Sequence, residues 1–458
     1  MPLPETARPL AAPLRAATRS RRVAVPQAGA SAAGGVLLGL ALVTMYFDAH
    51  LRFTEKNLLV SDALILLAAL TTFRPQNIFR AISATSTTAP FLLFAVAALL
   101  SIVASSGTYR IDEAEALITV GQYAFSFLLL APLVAVHAGE LGGARRLWNI
   151  HGLMLALAGA LSLTDHFGLT RFTPTFTPYG KENVLLGVGG FGFFSFASPY
   201  VLDRALREFP GPRYLLWTAA WIAGFAGTVM SGRRSPMVVV LALILPVVWL
   251  NLRRLRQNLR GIRAVAAAAP VAALAVFLFQ SLPGISRRIE RDQPEFAGRT
   301  RRRASESTIQ ARREQYDFVL EDFASRRQLL GTGPKQFVTL HPQFLAKVHN
   351  FYLEQLYETG LLGLAAFLAM VGAPLRWAIR AFRLASRRRS EQWRHHWFIN
   401  CLSMAGVLCY GLFAPIAYTR FFWSFYFLAS GHRRSLERLK AESEPLRWRV
   451  GARLASAG

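Results

Sequence analysis

Acidic residues are scarce in this chain: 26 Asp and Glu stand against 52 Lys and Arg, a formal net charge of +26 over 458 residues. Cysteine is scarcer still, at two. Cys401 and Cys409 fall in one apolar run, and eight helical residues set them about 80° apart around the axis and about 12 Å along it. Disulfide-bonded Cα atoms lie within roughly 7 Å of each other, so these two cannot join and read as small packing residues. No Cys/His cluster has metal-ligand spacing. Also missing are a D-x-D pair for a metal-held sugar nucleotide, a P-loop, a G-x-S-x-G turn and any internal repeat. No carboxylate or lysine sits in the middle of an apolar run, where it would mark ion-coupled transport.

Long apolar runs are abundant. The chain is 53% hydrophobic with 33 Phe, and its apolar residues come in blocks close to the roughly 17–25 residues that cross a bilayer. We place them near 28–47, 58–73, 90–107, 116–137, 148–165, 184–202, 214–230, 235–250, 263–282, 350–374, 398–415 and 419–431. The pattern predicts an all-α polytopic membrane protein of about twelve helices. The division is a basic tail (1–27), nine helices (28–282), a large outer loop (283–349), three helices (350–431) and a second basic tail (432–458).

The positive charge follows the same topology. Arg15, Arg19, Arg21 and Arg22 precede the first run, and alternate short loops carry Arg74 and Arg80, Arg145 and Arg146, Arg204, Arg207 and Arg213, then Arg253, Arg254, Arg256 and Arg260. The opposite loops hold little beyond Arg52, Lys56, Arg110 and Arg420. This is positive-inside asymmetry. It puts both termini in the cytoplasm and accounts for the charge without a nucleic-acid partner. The first run lacks a small-residue cleavage site opening into a soluble domain, so it reads as a retained helix.

One outer loop dwarfs the rest, with about 65 residues between Leu282 and Asn350, and long loops are uncommon unless functional. Its "STIQ" (Ser307 to Gln310) fits a capping box. Ile309, Tyr316, Val319, Leu320 and Phe323 then recur at helical spacing, and "GTGP" ends the pattern at Gly331, Gly333 and Pro334. Arg312 falls inside that apolar stripe, about 60° from Ile309 and 40° from Tyr316. A merely solvated arginine belongs on the other face.

The loop closes on "KVHNFYLEQLYETGLLG". A helix starting near Asn350 places His349, Tyr352, Leu353, Leu356, Gly360 and Gly363 on one side, with Glu354 and Glu358 on the other. The two glycines either leave a cleft below the histidine or let another helix approach closely. The positive end of the helix lies beside His349 and disfavours imidazolium, which suits a general base. The plainer reading is an interfacial histidine capping its own helix. Cations gather on the same side: Arg233 and Arg234 in the tight "SGRRSP" turn, and Arg171 and Lys181 in "LTRFTPTFTPYGKEN". A histidine with several such cations fits a phosphorylated substrate. Asp48 and Asp112, in the first two outer loops, read as solvated.

These residues resemble the O-antigen ligase and polymerase family of bacterial envelope glycosyltransferases. The ligase pattern is His, then Asn, Ser or Gln, nine residues, Gly, two residues, and Gly, Thr or Tyr. His349, Asn350, Gly360 and Gly363 match it without departure. "SGRRSP" is similar to the family's Ser-Arg-small segment, with Arg234 in the arginine position and Arg233 where many members have serine. "ARREQYDFVLEDFASRRQLLGTGPKQF" is similar to the family's Arg, aromatic four later, and Gly-x-Gly-Pro loop, which selects Arg312 and Tyr316.

The resemblance implies an undecaprenyl-diphosphate-linked glycan as donor and lipid A-core or another glycan as acceptor. It implies an inner-membrane enzyme whose site faces the periplasm among membrane lipids, working without metal or cofactor. His349 would be the catalytic base. Arg234, Arg233, Arg312, Arg171, Asn350, Tyr316, Gly360 and Gly363 would bind or shape the substrate. O-antigen ligation is the leading expectation. A polymerase, a protein O-oligosaccharyltransferase and a polysaccharide lipid transporter are the alternatives.

Overall fold

The computed structural model describes residues 31–47, 59–74, 79, 81–82, 85, 87–166, 175–177, 180–182, 194–209, 211–230, 234–257, 308–326, 329–342, 344, 348–388, 390–414 and 420–430. Helices stand at every expected apolar run within them. These are α1 (Ala32–Thr44), α2 (Val60–Thr72), α3 (Thr88–Ser106), α4 (Glu113–His137), α5 (Leu141–His166), α6 (Phe194–Glu208), α7 (Arg213–Met230) and α8 (Arg234–Gln257). The long segment before residue 350 contributes α9 (Thr308–Arg326) and the short α10 (Phe337–Leu340). It is followed by α11 (Phe351–Arg387), α12 (Glu391–Gly411) and α13 (Arg420–Ala429). The run at 263–282 and both basic tails lie outside the described residues.

The all-α expectation needs one amendment, because Thr175–Thr177 and Gly180–Glu182 pair as a short antiparallel hairpin, Phe176 opposite Lys181. Pro174 and Pro178 flank its first strand, and proline cannot continue a helix. By length and composition α3, α4, residues Ser235–Leu252 of α8, and α11 are sufficient to cross a membrane, and α1 and α2 are apolar but shorter. Large apolar side chains such as Leu70, Val103, Leu215, Leu245 and Trp249 stand exposed on these helices. Such faces suit a lipid surround, not water.

Between the helices the packing is aromatic and close. Trp423 of α13 meets Phe127 edge-on at 4.7 Å, and Phe127 stacks on Phe91 at 4.6 Å. Phe351, the first residue of α11, meets Phe367 four turns on at 4.4 Å. Gly159 lets α5 lie against α7 so tightly that any Cβ would strike the Ala223 carbonyl. Small residues at such a crossing let two backbones approach, as membrane helix pairs require.

The helix α11 is broken where the sequence reading made it continuous. Gly360 has φ 71° and ψ −171° inside it, a conformation in the left-handed region that only glycine adopts without strain. The segment Leu329–Gly333 enters the break. Thr332 N–H donates to the Tyr357 carbonyl (3.1 Å) and Gly333 N–H to the Glu358 carbonyl (2.8 Å), while Leu362 N–H donates to the Leu329 carbonyl (3.2 Å). In an unbroken helix Glu358 C=O would have accepted from Leu362 N–H. The loop thus takes over both halves of a lost helical bond, so the Glu358 carbonyl and the Leu362 N–H are not stranded in an apolar setting. Gly331 holds the same segment to α3, its N–H donating to Ser101 Oγ (3.1 Å) and its C=O accepting from Ser105 Oγ (3.0 Å).

A Cβ on Gly360 would collide with the Leu329 carbonyl, and one on Gly331 with the Glu358 carbonyl and Thr359 nitrogen, whereas one on Gly372 would meet open space. Gly360→Ala, through overpacking and backbone strain, and Gly331→Ala, through overpacking alone, should therefore each destabilise the protein by about 2–4 kcal/mol. Gly372→Ala should be neutral or slightly stabilising, as for any exposed helical glycine. Comparing the three in a detergent thermal-unfolding assay checks this. Equal stability of all three would remove the backbone interlock.

Candidate functional site

Asn350 starts α11. Its backbone is extended (φ −147°, ψ 114°) and its Oδ1 accepts from the N–H groups of Tyr352 (3.0 Å) and Leu353 (3.1 Å). That is an N-cap, which satisfies two of the donors a helix start leaves open. The expectation that Asn350 binds substrate is therefore replaced, for its oxygen, by a structural role. The cap fixes the direction in which α11 leaves the residue before it, His349.

His349 is half-buried. The phenol of Tyr316 donates to its backbone carbonyl at 2.7 Å. Burial raises the pKa of Tyr316 above the usual tyrosine value, with the Arg312 guanidinium opposing that rise. The phenol therefore stays a protonated donor at neutral pH. Arg312 stands one helical turn before Tyr316 in α9, also half-buried, and its Nε is a buried donor with no hydrogen-bond partner among the described residues. Arg312, Tyr316 and His349, which lie up to 37 positions apart in sequence, are thereby brought to one edge.

A small second core holds that edge in place. Val319, Phe337, Val348 and Tyr357 are buried together, with Tyr316, Phe318, Phe344 and Leu353 around them. Leu320, expected in the apolar stripe of α9, is instead 48% exposed. Sequence reasoning missed His341, whose Nε2 lies 2.6 Å from the Tyr357 hydroxyl and whose ring meets Phe318 edge-on at 4.5 Å. The available signal was a histidine set among Phe337, Phe344 and the α9 aromatics.

The loop is pinned on its other flank as well. Gln336 is fully buried, and its amide accepts from Asp112 N–H (2.9 Å) and donates to Asp112 C=O (3.1 Å). Lys335 Nζ lies 3.5 Å from Glu115 Oε1. Asp112 caps α4 through Glu115 N–H at 3.0 Å. That cap gives it a structural role where a solvated loop residue was expected.

One other expectation changes, and the two glutamates gain a setting. Gly360 and Gly363 do not open a cleft beneath His349. The backbone of Leu329 and Leu330 occupies the space beside Gly360, and the Thr359 side chain fills that beside Gly363. Glu354 and Glu358, set apart from the His349 side in the sequence reading, are fully buried, and Tyr123 of α4 lies within electrostatic reach of both.

Arg234 is the first residue of α8, and the topology places it at the same end as His349. Asn251, near the far end of α8, donates to Asp203 (2.9 Å), which also faces His395 at the start of α12 (3.2 Å). The Tyr352 hydroxyl, three residues after His349, donates to the Leu408 carbonyl (3.1 Å), and Leu408 stands about 25 Å along α12 from its start at 1.5 Å per residue. The start of α8 is therefore at the opposite end from that cluster. Arg233 and Arg171 lie outside the described residues. No group of three or more potential metal-ligating side chains occurs among the described residues.

Long apolar helices, lipid-suited outer faces and a polar edge at one end define a multi-pass helical membrane protein. Residues 218–368, roughly a third of the chain, match the family model described as O-antigen ligase. Over that segment the chain is similar to the O-antigen ligase family. The matched stretch contains Arg234, Arg312, Tyr316, His349, Gly360 and Gly363. No curated protein matches the chain.

Asn350→Ser should keep the cap and cost no more than a few tenths of a kcal/mol, whereas Asn350→Ala should cost about 1 kcal/mol. Both are readable by thermal unfolding. A large loss of transfer activity in a stably folded Asn350→Ser protein would return Asn350 to the substrate.

Proposed function

We propose that the protein transfers a glycan from undecaprenyl diphosphate to an acceptor hydroxyl, and that the reaction is ligation of O-antigen to lipid A-core. What supports this is the meeting of Arg312, Tyr316 and His349 at one edge, within a segment similar to the O-antigen ligase family. In this reading the acceptor hydroxyl gives its proton to His349 as its oxygen attacks the anomeric carbon. The bond from that carbon to the diphosphate oxygen breaks, and the lipid diphosphate departs with the bonding electrons. A single displacement of this kind inverts the stereochemistry.

Negative charge grows on the leaving oxygen, and pre-positioned cations stabilise it most where water is thin. Arg312, with a buried donor free to take a new acceptor, is placed for that. Arg234, Arg233 and Arg171 complete the cationic rim in this reading. In this reading Tyr316 orients His349 by gripping its backbone carbonyl. The wider arrangement is a body of about twelve spans in the inner membrane, with both tails cytoplasmic and residues 283–349 on the periplasmic side.

His349→Ala, inserted at the normal level, should lower transfer by about 10²–10⁴-fold, the usual worth of a general base. On lipopolysaccharide gels this appears as core without O-antigen, with the polymer retained on its lipid carrier. Normal O-antigen on core would remove His349 as the base. Core carrying a single repeat unit in the deletion strain would assign polymerisation in place of ligation. Arg312→Gln should weaken donor binding by about tenfold or more, as expected for loss of a charge-assisted contact.

A further inference from the structure

The end of the bundle farthest from His349 carries an arrangement that glycan transfer does not use. Arg145 at the start of α5 and Arg204 and Arg207 at the end of α6 converge beside the start of α7. The scaffold under them is rigid. The Tyr200 hydroxyl donates to Asn149 Oδ1 (2.6 Å) and to the Arg145 carbonyl (3.3 Å), and its ring stacks on Trp148 at 5.4 Å. Trp217 is buried edge-on to Tyr200 at 6.2 Å, and the Arg204 guanidinium lies over its ring at 5.4 Å.

Three guanidinium groups meet two carboxylates there. Arg204 Nη2 reaches Glu208 at 2.9 Å, and Arg207 Nη1 reaches Asp203 only at 3.8 Å. Asp203 is largely committed to Asn251 and His395 (2.9 and 3.2 Å). The Arg204 side chain is 18% exposed, and its buried Nε has no hydrogen-bond partner among the described residues. Burial, with Arg207 and Arg204 nearby, lowers the Arg145 pKa from the ordinary arginine value. Positive-inside topology explains the sign of this charge but not its convergence on one aromatic shelf, where an anion would offset the surplus. Leu215 and Leu216, the two residues before Trp217 in the first turn of α7, are 70% and 54% exposed. A phosphate with acyl chains attached would satisfy both surfaces at once, which a soluble anion would not.

We propose that Arg145, Arg204 and Arg207 form a binding site for the phosphate head group of an anionic glycerophospholipid, its acyl chains lying along Leu215 and Leu216. Basic pockets between helices are suited to this, each cation near the head group contributing about a factor of five in affinity. The site holds a membrane lipid at the face opposite the candidate catalytic edge.

The test is native mass spectrometry of the full-length protein titrated with phosphatidylglycerol, phosphatidylcholine or inorganic phosphate. Wild type should retain phosphatidylglycerol in preference to phosphatidylcholine and gain nothing from phosphate alone. Neutralising all three residues (R145Q/R204Q/R207Q) should weaken retention about a hundredfold by the same scale. R376Q/R383Q/R387Q, which removes three exposed charges from the end of α11, should leave it unchanged. Equal loss in the two triple variants would reduce the effect to general surface charge and overturn the proposal. If the first variant does not fold, the wild-type comparison still decides. Equal retention of the two lipids, or equal binding of phosphate by itself, contradicts a phospholipid site.

Discussion

Three backbone hydrogen bonds between Leu329–Gly333 and the broken turn at Gly360 hold together the edge that carries His349. A helix interrupted in an apolar environment would strand a carbonyl and an amide, at a cost of several kcal/mol each. Here Thr332, Gly333 and Leu329 supply the missing partners. Because the exchange is backbone to backbone, it fixes the loop in position without depending on any one side chain. Gln336 and Lys335 then tie the same loop to the start of α4, and Phe337 begins the small aromatic core on which α9 rests. From α9 come Tyr316, which grips the His349 carbonyl, and Arg312 one turn earlier. A chain of contacts therefore runs from a kink in α11 to the side chains offered at its start.

That chain explains why two glycine-containing stretches of the family pattern serve one feature. Gly331 of "GTGP" and Gly360 of "ETGLLG" lie against each other's backbones, and neither tolerates a Cβ. The asparagine after the histidine is also architectural, directing α11 through its cap. What remains for the proposed chemistry is the histidine, with Arg312 at the same edge.

Much of this was legible in the sequence. The apolar runs became helices, and the period of α9 put Arg312 among apolar residues, where it is half-buried. The break in α11 was not legible, because Leu356, Gly360 and Gly363 satisfy a helical period whether or not the chain kinks between them. The same ambiguity turned a packed glycine into an expected cleft. Burial of Glu354 and Glu358 depends on which helix covers them, and one helical period cannot name its neighbour across the bundle. The basic end showed the opposite limit. Arg145, Arg204 and Arg207 were read as topological charge, and only the folding of α5, α6 and α7 brings them onto one aromatic shelf.

The interlock is the rigid element behind His349, and amide hydrogen exchange tests it most directly. The Thr332, Gly333 and Leu362 N–H groups should exchange as slowly as those in the buried middle of α3, even though two of them belong to a loop. Exchange of Thr332 and Gly333 at the rate of an exposed loop would contradict it, and would leave Arg312, Tyr316 and His349 without a fixed frame.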